Sequence, residues 1–272
     1  MKTRIRDVFD HANAEQRAAL VVYLCAGDPD LPTTLKLIHA VSEAGADVIE
    51  LGVPFSDPTA DGVIIQRASE RSLASGTTLR KVLDVVRQAR KSVTTPILLF
   101  GYYNPLFVYG VDRVIEDANT AGVDGFLVVD LPPDAGDSFP ALVVQHQLAY
   151  IPLVAPTSTK ERIEAASRLG NGFLYYVSVT GVTGTHAVDL KEASRHASEI
   201  AKSTQMPVAV GFGIKTPEDV ATVAKQAQGV VVGSAIVSLM EQARDPEAGI
   251  HAVKTFVRQL KSKVWRPGVV PV

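Results

Sequence analysis

A single cysteine, Cys25, among 272 residues excludes an internal disulfide and fits a reducing compartment. Its place in an apolar run makes it a small buried hydrophobe rather than a nucleophile. Neither sign of charge predominates, with 27 basic against 29 acidic residues, so the footprint of a nucleic-acid or anionic-membrane binder is missing. An anionic ligand has to be gripped locally. Nowhere do about 18 apolar residues run together, and no apolar stretch follows the basic start Met1-Lys2-Thr3-Arg4. A soluble cytoplasmic protein is the expectation. Linkers are missing too, since no low-complexity tract or charge block divides the chain, and one domain over 1–272 is expected.

What is present is alternation. Short β-branched runs recur at Leu20–Leu24, Val48–Leu51, Ile97–Phe100, Phe126–Val129, Tyr150–Val154, Phe173–Val177, Val208–Val210 and Val230–Val232, eight in all. Between them apolar residues return every three or four positions, as in Leu35, Ile38, Val41 and in Val220, Val223, Ala227. Twice a similar phrase, Glu43-Ala44-Gly45-Ala46-Asp47 and Thr120-Ala121-Gly122-Val123-Asp124, leads into a strand, its Gly placed for the left-handed residue that ends a helix. Eight βα units predict an α/β fold of the (β/α)8 barrel type, with the active site at the C-terminal ends of the strands. A doubly wound sheet is the alternative, and it too binds ligands at strand C-termini.

The residues that follow the strands are Gly27-Asp28, Glu50, Gly101-Tyr102, Asp130, Ala155-Pro156, Ser178 to Gly184, Gly211-Phe212-Gly213 and Gly233-Ser234. An ionisable Glu50 at the end of an apolar strand is costly unless it is paired in a salt bridge or used as an acid/base. Asp61, across the stiff loop from it, is either the N-cap of a helix over Val63–Leu73 or a second acid. Asp130, ahead of Pro132-Pro133, reads as the holder of a turn. Glycines after the last strands suit a phosphate site, where bare N–H groups and a helix N-terminus approach the oxygens; tight βα turns have the same composition. The loop from Ser178 to His186 has the small, polar character of a lid or of an ordinary connection. Tyr175 is either a pocket wall or a core hydrogen-bonding group.

Elimination narrows the chemistry. No lysine ends a strand to form a Schiff base, since Lys160 and Lys215 fall at helix starts. Of the six histidines only His186 lies in a candidate loop and no two have ligand spacing, so no metal site is expected. Ser178, Ser234 and Cys25 have no strand-end His to activate them. Acid/base catalysis on a phosphorylated small molecule remains, without metal or cofactor. A sugar-phosphate isomerase would fit that description but lacks a strand-end electrophile.

The stretch Glu50-Leu-Gly-Val-Pro-Phe-Ser-Asp-Pro-Thr-Ala-Asp-Gly62, with Tyr175 and Gly181-Val-Thr-Gly184, closely resembles the tryptophan synthase alpha chain family. Gly27-Asp28-Pro29, Asn104-Pro105, Asp130-Leu-Pro132, Gly211-Phe-Gly-Ile214 and Gly233-Ser234-Ala235 extend the likeness from about Asp7 to Leu260. The resemblance implies a single (β/α)8 barrel with extra N-terminal and loop helices. It implies a lyase of tryptophan biosynthesis that cleaves indole-3-glycerol phosphate to indole and D-glyceraldehyde 3-phosphate. The indole would pass to a beta chain that carries pyridoxal phosphate (PLP), in an alpha2beta2 assembly, with no cofactor in this chain. By matching position, Glu50 would be the general acid/base, Asp61 the acceptor of the indole N–H, and Tyr175 a further catalytic-site residue. The phosphate site would be Gly184, Gly213, Gly233 and Ser234; the indole pocket Tyr23, Phe100, Leu127 and Val129 with Tyr175. Thr183 would contact Asp61 from the lid, and Asp57 would lie in a loop facing the beta chain.

Val63 stands where many relatives have Pro, and Val179 where some have Arg; both bear on lid closure and not on a catalytic group. A stand-alone lyase would keep the same residues, whereas a barrel that only binds a beta chain would not need Glu50, Asp61 and the phosphate glycines.

Overall fold

A computed structural model describes residues 2–133, 135–136, 138–178, 189–266 and 268. Its strands are β1 (Ala19–Cys25), β2 (Val48–Gly52), β3 (Ile97–Gly101), β4 (Gly125–Val128), β5 (Ala149–Tyr150), β6 (Leu153–Val154), β7 (Leu174–Val177), β8 (Val208–Gly211) and β9 (Gly229–Val232). All pair in parallel, in the order β5-β4-β3-β2-β1-β9-β8-β7-β6. The two ends of that order are halves of one predicted strand, Tyr150–Val154. Ile151 donates its N–H to Phe126 on the β4 side, and the Pro152 carbonyl accepts from the Tyr175 N–H on the β7 side. Pro152 has no N–H to give, so the ladder passes from one neighbour to the other across it and the sheet closes. The doubly wound alternative, an open sheet, is thereby overturned.

Strands buried on both faces explain the unbroken Val and Ile runs that made them visible. Outward side chains such as Leu24, Ile49 and Val210 pack under the surrounding helices, while Val21, Tyr23, Leu98, Leu127 and Ala209 fill the lumen. The lumen floor is plugged by the helix Arg4–Ala14, which Thr3 caps by accepting from the Arg6 N–H. Ile5, Phe9 and Ala12 of that helix are fully or almost fully buried, and Phe9 stacks on Phe173 with ring centroids 4.6 Å apart.

Both phrases of the internal repeat do the same work. Gly45 and Gly122 have φ of +98° and +90°, ending their helices as expected. The aspartate that follows each then clasps the start of the preceding strand. Asp47 donates its N–H to Leu20 O and accepts the Leu20 N–H; Asp124 does likewise with Ile97. Arg17 and Lys261 neutralise Asp47, and Arg4 and Arg90 neutralise Asp124.

Candidate active site

At the opposite end, β2 carries Glu50 level with Tyr23 of β1 and Leu98 of β3. Because alternate side chains of a strand share a face, Glu50 enters the lumen with Val48. It is 1% exposed, and its Oε1 has no hydrogen-bond partner among the described residues. No ion pair reaches it among them either, so the salt-bridge reading fails. Burial first, and then the Asp61 charge, push its carboxyl up from 4.5 to about 8.

Asp61 stands near the end of the loop 53–62, which follows β2. The helix after it, Val63–Ala74, takes Gly62 as its N-cap and has no side-chain cap bond, so the capping reading of Asp61 is corrected. Its carboxylate is drawn instead to Tyr102, whose hydroxyl donates to Oδ2 at 3.1 Å. Burial pushes Asp61 up to about 6, with the Tyr102 hydrogen bond pulling the other way. Two acids thus stand close enough to feel each other's charge, with proton affinities set apart, an arrangement suited to one giving a proton while the other stays charged.

The walls are apolar. Tyr23, Phe100, Leu127 and Tyr175 are buried in the lumen group, and half-buried Val129 packs against it. Val129 lies just beyond β4, which ends one residue earlier than predicted, but its N–H still bonds to Gly101 O. Tyr23 meets Phe100 edge-on at 5.4 Å. The tyrosines need glycine opposite them: a Cβ on Gly52 would stand 2.2 Å from the Tyr23 hydroxyl, and one on Gly211 2.1 Å from that of Tyr175. Phe212 joins this wall, edge-on to Tyr175 at 6.1 Å, where sequence reasoning saw only a glycine turn.

After β8, Phe212 and Gly213 both adopt left-handed backbone, with φ of 71° and 79°. After β9, Gly233 caps the helix Ser234–Glu241, which has no side-chain cap. Ile236 and Val237 return their N–H groups to Gly233 O, which leaves the Ser234 and Ala235 N–H groups as the first-turn donors for an anion. Ser178 ties the neighbouring strand ends together, its hydroxyl donating to Gly211 O and Phe212 O.

Other strand ends are structural. Asp28 is buried and accepts from Nε and Nη2 of Arg71, whose Nη1 grips Glu241. Asp130 accepts the Tyr103 N–H at the head of the helix Tyr103–Tyr109. Cys25 is buried, its thiol pushed up to about 12 by burial. Asp57 lies exposed in the loop 53–62, with Ser56 donating to it. Val179, Gly181, Thr183, Gly184 and His186 lie outside the described residues. Among the described residues no three His, Cys, Asp or Glu side chains gather to hold a metal ion, and no helix is long and apolar enough to cross a membrane.

A closed barrel with two unlike carboxyls in an apolar mouth, beside glycine-lined helix ends, has the layout of a barrel lyase working by proton transfer. The family model for the tryptophan synthase alpha chain matches residues 9–265. The alpha chain of Geobacter sulfurreducens is 49% identical over 262 residues, covering 96% of this chain and 99% of that one. The alpha subunit from Legionella pneumophila superposes with a TM-score of 0.88 at 38% identity, covering 97% of this chain and 99% of that one. Tryptophan synthase from M. tuberculosis, in its aminoacrylate-bound form, does so at 0.86 and 34%, covering 96% and 99%. The chain belongs to the tryptophan synthase alpha chain family. Such chains are lyases that cleave indole-3-glycerol phosphate to indole for a beta chain, and PLP is carried by that partner.

Proposed function

We propose that Glu50 and Asp61 divide the acid/base work of this cleavage. Between pH about 6 and about 8 Asp61 is ionised while Glu50 keeps its proton. Glu50 gives that proton to indole C3, and Asp61 accepts the indole N–H as positive charge spreads over the ring. The electron-poor indolenine can now release its side chain. Glu50, as carboxylate, takes the proton of the glycerol hydroxyl beside the ring; the C–C bond breaks into the ring, and an aldehyde forms as indole leaves. One proton is given and one is recovered, so the enzyme returns to its starting state. Indole alone is a poor carbanion leaving group, which is why protonation has to come first.

Tyr23, Phe100, Leu127, Val129 and Tyr175 grip the bicyclic ring in this reading. Gly213, Gly233 and Ser234 take the phosphate, joined by Gly184. Thr183 meets Asp61 when the lid closes, and the loop with Asp57 faces the beta chain of an alpha2beta2 assembly. The lone buried thiol supports a cytoplasmic setting. The observation that carries the reading is Glu50 itself, a buried carboxyl with an unpartnered oxygen beside a second acid. Glu50→Gln is expected to slow indole release from indole-3-glycerol phosphate by about a hundredfold or more while substrate still binds, since such groups contribute roughly 10²–10⁴. Near-normal turnover, measured with the beta chain present, removes Glu50 from the mechanism.

A further inference from the structure

Asp61 sits at the end of a loop, where a catalytic carboxylate is harder to aim than on a strand. The hydrogen bonds within the loop are local, from Thr59 N–H to Asp57 O and from Asp61 N–H to Pro58 O. One side chain reaches it from the end of β3. Tyr102 is buried; its hydroxyl accepts the Ala60 N–H at 2.9 Å and donates to Asp61 Oδ2, while its ring lies against Phe55 at 5.3 Å. Its own backbone is anchored, because Tyr102 caps the helix Tyr103–Tyr109, whose first N–H is held by Asp130.

We propose that Tyr102 is a positioning residue for the cleavage: held by the Ala60 N–H, its hydroxyl aims Asp61 and sustains the carboxylate's charge at the barrel mouth. This inference rests on the role given to Asp61 above. The groups that face Asp61 across the lumen are Glu50 on β2, Tyr23 and Cys25 on β1 and Tyr175 on β7. All are acidic or neutral. Among the described residues no basic side chain bonds to Asp61, so the phenol is the donor that offsets its burial. Burial and the acid beside it raise the Tyr102 phenol above its ordinary range, so it stays protonated and acts as donor rather than base. Accepting from Ala60 also leaves its one proton for Asp61, since an O–H cannot be given to an N–H that is itself a donor. Asp61 Oδ1 carries no hydrogen bond among the described residues, so the phenol holds the carboxylate by one oxygen and leaves the other for the indole N–H.

The test is a carbon-13 NMR titration of the Asp61 carboxyl in the full chain, alongside indole release at pH 5.5 and 7.5 with the beta chain. In Tyr102→Phe the Asp61 titration is expected to move up by about one pH unit, the size of a tenfold change in proton affinity. With Asp61 at about 6 in the wild type, the cleavage deficit should then be about sixfold deeper at pH 5.5 than at pH 7.5. An unmoved titration, or a deficit equal at the two pH values, overturns the proposal. If Tyr102→Phe folds poorly, difluorotyrosine at position 102 keeps ring and hydroxyl and strengthens the donor. It should move the titration down, and no movement overturns the proposal equally. Asp61→Asn separates the two ideas: wild-type cleavage in that variant removes Asp61 from the mechanism, while the Asp61 titration in the Tyr102→Phe chain still reports on Tyr102.

Discussion

A carboxyl sealed inside a barrel without a cation has to be favoured by something other than stability, and its cost should be readable as a function of pH. Glu50 is held at about 8 in the folded chain against an ordinary 4.5. Below pH 4.5 it is protonated in both folded and unfolded states and costs nothing as a charge. As pH rises toward 8 the unfolded chain ionises it while the folded chain keeps its proton, so the unfolded state gains and folding stability falls. Glu50→Gln removes that titration. Its melting temperature should therefore match wild type near pH 5 and exceed it near pH 8 by at least about 3 °C, a modest shift for a chain of this size. A melting difference independent of pH would mean that Glu50 is solvated and free of the strain its surroundings impose. Tyr23 and Tyr175, raised by the same burial, remain neutral throughout that range and do not blur the comparison.

Among the elements, the short helix Ser234–Glu241 makes the sharpest claim, since its uncapped first turn is offered as the phosphate seat. Ser234→Asp sets a carboxylate in that first turn, where its charge suits the helix N-terminus but repels a phosphate. The KM for indole-3-glycerol phosphate should rise by about tenfold or more, with kcat changed less and the helix intact by circular dichroism. An unchanged KM would move the phosphate site elsewhere. The strands were legible beforehand because burial on both faces writes continuous Val and Ile runs, and the turns beside that helix because Gly213 and Gly233 follow the last two strands, where barrels bind anions. Pairwise contacts far apart in the chain were not legible. Asp61 reads as a helix cap until Tyr102 is seen to claim its carboxylate; Gly101-Tyr102 was visible as a strand end, but nothing local says where the phenol points. Phe212 was hidden inside a glycine motif, although an aromatic held at φ 71° is unusual enough to mark it once backbone is known. Asp47 and Asp124 were recognised as parts of a repeat, whereas their hold on Leu20 and Ile97 needed the strands to be side by side.

For the molecule as a whole, the barrel divides its labour between two ends. The floor holds the Phe9 plug and the clasps of Asp47 and Asp124; the mouth holds Glu50, Asp61 and the glycine turns. Barrels of this kind keep stability at the N-terminal face and chemistry at the C-terminal face. Phe9 is suited to test the division, because it is 1% exposed, stacks on Phe173 and fits over Gly229, where a Cβ would stand 2.6 Å from its ring. Truncating it to alanine leaves a ring-sized void that close packing on every side prevents from collapsing. Phe9→Ala should cost about 3–5 kcal/mol of folding stability, measured by urea unfolding. Well below the melting point, KM and kcat for indole release should nevertheless stay within about twofold of wild type. The strands between floor and mouth are rigid and hydrogen-bonded on both sides, so a void at one end need not move side chains at the other. A tenfold rise in KM accompanying the lost stability would show the opposite, that the plug is felt at the mouth and that the two ends act as one mechanical unit.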